Sequence, residues 1–305
     1  MSIYLPIAEM QINVFLLLFL GMLTGILSGM FGVGGGFLTT PLLIFLGIPP
    51  AVTVSSSANQ IIAASFSGFL AHLRRANVDI KMGIIITIGG FIGSSLGVAL
   101  FKFLKDVGQI DLVISLGYVI FLGLIGTLMG IESFKTIRSL KKGEETATNI
   151  KIKCLRKLPV YFPVYFPKSN IRVSIFLPIL VGIFSGILVS VLGIGGGFVM
   201  IPAMIYIIGM PTSMVIGTSL LQIVFITINV TILQSITTHT VDIVLSMIMI
   251  VGSVFGAQIG TKIGSKISPE KLRAALAVLV LAVVIRLAIS LFIEPHNLYS
   301  IIAYE

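Results

Sequence analysis

Residues 10 to 71 run for 62 positions without an Asp, Glu, Lys or Arg, and residues 173 to 241 run for 69. A helix rises about 1.5 Å per residue and a bilayer core is about 30 Å thick, so each run holds two full crossings and a shorter piece. Breaker residues place the cuts. Gly32, Gly34, Gly35 and Gly36 end a first helix over about 12–32, and Gly47, Pro49 and Pro50 end a short piece over about 37–47. A third helix follows over about 51–73. Runs 82–101, 112–131 and 243–261 are single charge-free spans, and 274–293 is interrupted only by Arg286. The long polar stretch 132–172 reads as a solvated connection between an N-terminal repeat, 1–131, and a C-terminal repeat, 173–305.

The halves resemble each other. Gly21 to Gly36 aligns with Gly182 to Gly197 with eight identities in sixteen positions. Phe37 and Pro41 match Phe198 and Pro202, Pro49 matches Pro211, Gln60 matches Gln222, and Asp79 matches Asp242. The short pieces 37–47 and 198–208 cannot cross a bilayer unaided, so each glycine turn is expected inside the membrane. Irregular backbone at that depth is tolerated only where protein buries it or a cavity runs beside it.

Basic residues set the orientation, because short cytoplasmic loops are enriched in Lys and Arg. With the central loop inside, seventeen of the twenty basic residues fall inside, the 236–242 turn is outside with none, and both termini are outside. Equivalent turns of the two halves then carry opposite charge character, which an inverted-topology repeat requires. The expected fold is an all-α integral membrane protein of ten transmembrane elements, arranged as two inverted five-element repeats. In each, a helix breaks at a glycine-rich turn and a short half-helix follows.

Composition agrees with that solvent. The chain is 56% hydrophobic and 10% charged, whereas a soluble domain carries about 25% charged residues. The net charge of +9 is explained by membrane-flanking basic residues, and no basic-aromatic stripe points to nucleic acid. Cys154, the single cysteine, excludes an internal disulfide and a multi-cysteine metal site. The first apolar segment lacks a basic n-region and a small-residue cleavage site, so it reads as a retained span. No metal site or cofactor is expected.

Candidate chemistry lies at the turns and on the third helix of each half. Gly34, Gly35 and Gly36, and Gly195, Gly196 and Gly197, open short helices whose first N–H groups lack intrahelical partners and favour anions. Tight helix crossing is the competing explanation for the glycines. For the four-residue ladders Gly21/Gly25/Gly29, Gly89/Gly93/Gly97 and Gly256/Gly260/Gly264 it is the favoured one. Ser57, Asn59 and Gln60, with Thr218, Ser219 and Gln222, are polar groups in apolar surroundings. They are expected to face the bundle interior, either donating to an oxyanion or joining helices. Asp79 and Asp242 read as N-caps. Arg286 either snorkels to the interface or attracts an anion. None of the three histidines is placed mid-span, so an intramembrane hydrolase lacks its base.

The doubled glycine motif followed by Pro41 and Pro202, with Gln60 and Gln222 downstream, resembles the TauE/SafE sulfite exporter family. The likeness covers nearly the whole chain. It implies transport of small sulfur-containing anions such as sulfite or sulfoacetate across the cytoplasmic membrane, with the anion and the lipid bilayer as partners. A homodimer stays open. An anion channel, carriage of another small anion, and a structural subunit are the alternatives.

Overall fold

The computed structural model describes residues 2–131, 163–267 and 269–292. Ten helices form there: α1 (Val14–Phe31), α2 (Gly36–Phe45), α3 (Pro50–Arg74), α4 (Ile80–Asp106), α5 (Ile110–Ile131), α6 (Phe176–Leu192), α7 (Gly197–Ile208), α8 (Thr212–Thr237), α9 (Ile243–Gly264) and α10 (Pro269–Phe292). Of these, α1, α4, α5, α8 and α9 are long and apolar enough to cross a membrane. Their outward faces carry Phe15, Phe19, Leu96, Leu124 and Phe255, all exposed, as lipid-facing surfaces do. The charge-free runs underestimated α4 and α9. Both continue past their apolar cores, α4 through Lys102 and Lys105, because long basic side chains are good helix formers that reach water from a span end.

Local chemistry sets the ends. Asn13 caps α1 through the Phe15 N–H, and Gly32 closes it at φ 72°, its N–H bonding Ser28 O. Asp79 caps α4 and Asp242 caps α9, each accepting the N–H three residues on. Pro50 and Pro211 sit where α3 and α8 begin, and a missing N–H costs nothing at a helix start. Two π-helical stretches, Tyr118–Leu122 in α5 and Ala203–Ile208 in α7, widen their helices locally.

Two short antiparallel hairpins complete the described residues: β1 (Ser2–Leu5) with β2 (Met10–Asn13), and β3 (Pro163–Phe166) with β4 (Ile171–Ser174). Each turns through a proline and a residue of positive φ, Pro6 with Glu9 and Pro167 with Asn170. The second hairpin begins inside the stretch read as a solvated connection, and Phe166 on it is fully buried. The segment 132–162 lies outside the described residues.

Glycine ladders govern the closest helix packing. Gly21, Gly25 and Gly29 of α1 lie against the backbone of Met249, Ser253 and Ala257 on α9, while Gly256 and Gly260 of α9 lie against Met22 and Ile26. Gly89, Gly93 and Gly97 of α4 lie in the same way against Ile179, Ile183 and Ile187 of α6. A Cβ at these positions would drive the backbones apart, so the ladders are packing devices. Between the α1–α9 and α4–α6 pairs stand α3 and α8, packed on each other.

Two side-chain ties order the ends of the bundle. Arg75 Nη1 donates to Thr261 O at 3.1 Å, joining the end of α3 to the end of α9. Lys105 Nζ donates to Thr238 O at 2.7 Å, joining the end of α4 to the end of α8. The first hairpin sits at the start of α9 and the second at the start of α4, so they occupy opposite ends.

Candidate functional site

Both glycine turns need left-handed backbone: Gly32, Gly34 and Gly35 have φ of 72°, 84° and 78°, and Gly193, Gly195 and Gly196 have 66°, 79° and 71°. The two turns meet. A Cβ on Gly195 would lie 3.0 Å from Val33 O and 3.5 Å from Gly34 Cα, and one on Gly36 would strike Gly193 O. One on Gly197 would strike Gly32 O at 2.7 Å. Ile61 and Ile223, from the middle of α3 and α8, cover the contact, at 3.1 and 3.2 Å from a Cβ on Gly34. Immediately beyond, Phe37 and Phe198 stack at 5.7 Å between ring centroids, both fully buried. Gly34, Gly36, Gly195 and Gly197 thus form one closed backbone-to-backbone junction. Gly35 and Gly196 flank it, against Thr24 O and Val189 respectively.

The polar candidates divide. Gln60 bridges α1, α2 and α3: its Nε2 donates to Thr24 Oγ1 at 2.8 Å and its Oε1 accepts from Thr39 Oγ1 at 2.9 Å. Gln222 donates from Nε2 to Ser185 Oγ at 3.1 Å, but its buried Oε1 has no partner among the described residues. At the register of Thr39 the second half has Met200, which cannot donate. Ser57 lies 3.3 Å from Thr40 Oγ1 on α2, and Ser219 donates to Gly32 O of the opposite turn at 2.9 Å. These four groups surround the junction. Asn59 and Thr218 do not. Asn59 donates to Ser246 Oγ on α9 at 3.2 Å, and Thr218 accepts the Asp79 N–H at 3.0 Å.

Residues 17–287 match the family described as Sulfite exporter TauE/SafE. The chain belongs to the TauE/SafE sulfite exporter family. It is 28% identical over 209 residues to a probable membrane transporter protein of Xylella fastidiosa, covering 67% of each chain. It is 27% identical over 268 residues to the probable membrane transporter protein YjnA of Bacillus subtilis, covering 87% of this chain and 96% of the relative. It is 28% identical over 108 residues to Sulfite exporter TauE/SafE family protein 2 of Arabidopsis thaliana, covering 35% and 24%. No solved structure matches the chain. This TauE/SafE protein is therefore an integral multi-pass membrane transporter and not an enzyme.

Several residues of this TauE/SafE protein that matter at the junction carried little sequence signal. Tyr118, fully buried, places its hydroxyl 3.4 Å from Gly36 O; a lone phenol in an apolar span was the available clue. Thr24, Thr39 and Ser185, which hold the glutamines, look like ordinary small helix residues. Arg286 lies with its guanidinium 4.6 Å over the Phe45 ring. Phe45 ends α2, nine residues beyond Gly36, which at about 1.5 Å per residue sets Arg286 well away from the glycine turns.

Proposed function

We propose that this transporter moves small sulfur-containing anions, sulfite and sulfonates such as sulfoacetate, outward across the cytoplasmic membrane by alternating access. In this reading it is built as two inverted five-element repeats, with the central loop cytoplasmic and both termini outside. The observation that carries it is the closed junction of two glycine turns at mid-length of α3 and α8, where two short helices start. Paired broken helices of this kind form ion and substrate sites in secondary transporters, because their ends present unpaired backbone groups. Inversion is supported by reciprocal packing: the first helix of each half lies on the fourth helix of the other. The ties at Arg75 and Lys105 group the loops into the same two sides as the basic residues do.

Gly34, Gly35, Gly36, Ser57, Gln60, Gly195, Gly196, Gly197, Ser219 and Gln222 would present N–H and O–H donors to an oxyanion once the junction opens. In the closed junction Ser57 pairs with Thr40, Gln60 with Thr24 and Thr39, Ser219 with Gly32 O and Gln222 with Ser185. Asn59 and Thr218 serve helix packing and capping. Among the described residues no carboxylate stands mid-span to carry a proton relay, which favours uniport. With the cell interior negative, each charge exported releases about 2.3 kcal/mol per 100 mV.

The test is flux of labelled sulfite, sulfate and sulfoacetate in proteoliposomes, for wild type and for Gln60→Ala, Gln222→Ala and Gly35→Leu. Selective, saturable flux set by voltage and lost in folded variants is expected. Flux that ignores voltage and follows a pH gradient would overturn uniport, and absence of flux for every sulfur anion would overturn the substrate class.

A further inference from the structure

A cavity of about 280 Å3 opens at the end of the bundle where α3 stops and α8 starts. Its inner part is lined by Phe31 and Ile216, and Ile216 is the side chain that a Cβ on Gly32 would strike at 2.5 Å. One layer of side chains therefore separates the cavity from the first glycine turn. The polar lining comes from His72, Arg75, Asn77, Thr212, Ser213, Thr261 and Ser265, the last two with hydroxyls already donating within α9 and its end, and no carboxylate is among the described lining residues.

Four of these residues, His72, Arg75, Thr212 and Ser213, keep donor groups for a ligand. His72 is 9% exposed, and its Nδ1 has no partner among the described residues. Arg75 is fixed through one nitrogen on Thr261 O, leaving most of the guanidinium donors for other partners. The 26-residue helix α8 starts at Pro211 without a side-chain cap. Its first intrahelical bonds run from Met214 N and Val215 N to Pro211 O, so the N–H groups of Thr212 and Ser213 stand at the positive end of a long helix without an intrahelical partner.

These groups are not repeated in the other half. At the equivalent register of the other half, Gln234 and Thr237 replace His72 and Arg75, and Pro50 and Ala51 replace Thr212 and Ser213. Gln234 there spends its Nε2 on Ser190 O at 3.0 Å, and the fully buried Phe101 stands where Gly264 lines the cavity. At that end Phe101 and Gln234 are packed and buried. The other end keeps a cavity and concentrates donors around it.

We propose that this cavity is a second oxyanion-binding station, on the side of the basic loops, where a small sulfur oxyanion waits before the junction. Arg75 and His72 would hold two of its oxygens, and the N–H and hydroxyl groups of Thr212 and Ser213 the third. The volume lies below the roughly 300–1,000 Å3 of pockets for drug-sized ligands, which restricts the occupant to a small anion. This inference rests on the anion-transport reading above, and the experiment separates the two.

Equilibrium binding of 35S-labelled sulfite and sulfoacetate is measured on the full chain in nanodiscs of uncharged lipid, alongside proteoliposome flux. Arg75→Gln and His72→Gln are expected to weaken binding at least tenfold, and Lys102→Gln, at the opposite end, to leave it within twofold. Thr212→Asp places a carboxylate where the helix dipole favours it, so the variant should melt no lower than wild type yet bind at least tenfold more weakly. Wild-type flux and binding that Arg75→Gln and Thr212→Asp both leave unchanged would overturn the station and spare the transport reading. Absence of any wild-type binding and flux would overturn both. Binding that phosphatidylglycerol displaces, while free anions do not compete, would assign the cavity to a lipid headgroup and overturn the proposal.

Discussion

The Oδ2 atom of Asp79 accepts the hydroxyl of Ser169 at 2.6 Å, across 90 residues of sequence. Its Oδ1 caps α4 through the Met82 N–H at 3.1 Å. Asp242 repeats the arrangement, capping α9 through Leu245 N–H at 3.0 Å and accepting the Ile7 N–H at 3.0 Å. Each hairpin is thus tied to the start of the fourth helix of the opposite half. Both carboxylates also stand beside the third helix of the opposite half, since Asp79 N–H bonds Thr218 Oγ1 and Asp242 N–H bonds Ser56 Oγ at 2.8 Å.

Asp79→Ala and Asp242→Ala should each remove a cap and a tie to a hairpin, and Asp79→Ala also strands the buried Ser169 hydroxyl. The combined loss is about 2–4 kcal/mol. Ser169→Ala leaves the cap intact and should cost about 1 kcal/mol. Thermal unfolding of the detergent-solubilised protein checks the order, and a double-mutant cycle on Asp79 and Ser169 should show coupling.

The caps were legible from the sequence, because an Asp just before an apolar run has few other physical uses. The hairpins were not. Their turns use proline with Glu9 or Asn170 at positive φ instead of the glycine pairs that announce most hairpins, and strands of four residues give alternation too little length to register. The glycine turns were legible as turns and as a doubled feature, but their contact was not, since it joins backbones that carry no side-chain pattern. Arg75 counted in the sequence only among the basic residues that set orientation, and His72 only as a histidine not placed mid-span. What makes them candidates is the cavity between helix ends far apart in sequence.

Ala at Gly36 or Gly197 should destabilise the junction by about 1–3 kcal/mol or more, because the new Cβ meets backbone of the other turn and backbone cannot rotate away. Gly108→Ala is the control: its φ is 74° but nothing lies within 4 Å of the added carbon, so only local strain of about 1 kcal/mol is expected. Fluorescence-detected size exclusion after heating ranks the three.

Thr39→Val should cost about 1–2 kcal/mol by leaving Gln60 Oε1 buried without a donor, the condition Gln222 already tolerates. Gln60→Ala should therefore lower the melting temperature more than Gln222→Ala, a comparison that needs only thermal unfolding curves.

Arg286→Gln should leave the half-saturation concentration for anion flux within twofold. Its guanidinium sits on Phe45 and away from both glycine turns, and the lost cation–π contact is worth about 0.5–2 kcal/mol of stability. A tenfold change in half-saturation, read from proteoliposome uptake, would place Arg286 on the anion's path.

The central claim is that the two glycine turns must part for an anion to pass. Phe37→Cys and Phe198→Cys, introduced together in a Cys154→Ser background, place thiols where the stacked rings stood and allow a short bifunctional thiol reagent to bridge the halves. Flux is then measured with labelled sulfoacetate, which does not attack the bridge as sulfite can. The account predicts that bridged protein carries no flux, while each single-cysteine variant treated identically keeps it. Undiminished flux through fully bridged protein would contradict it.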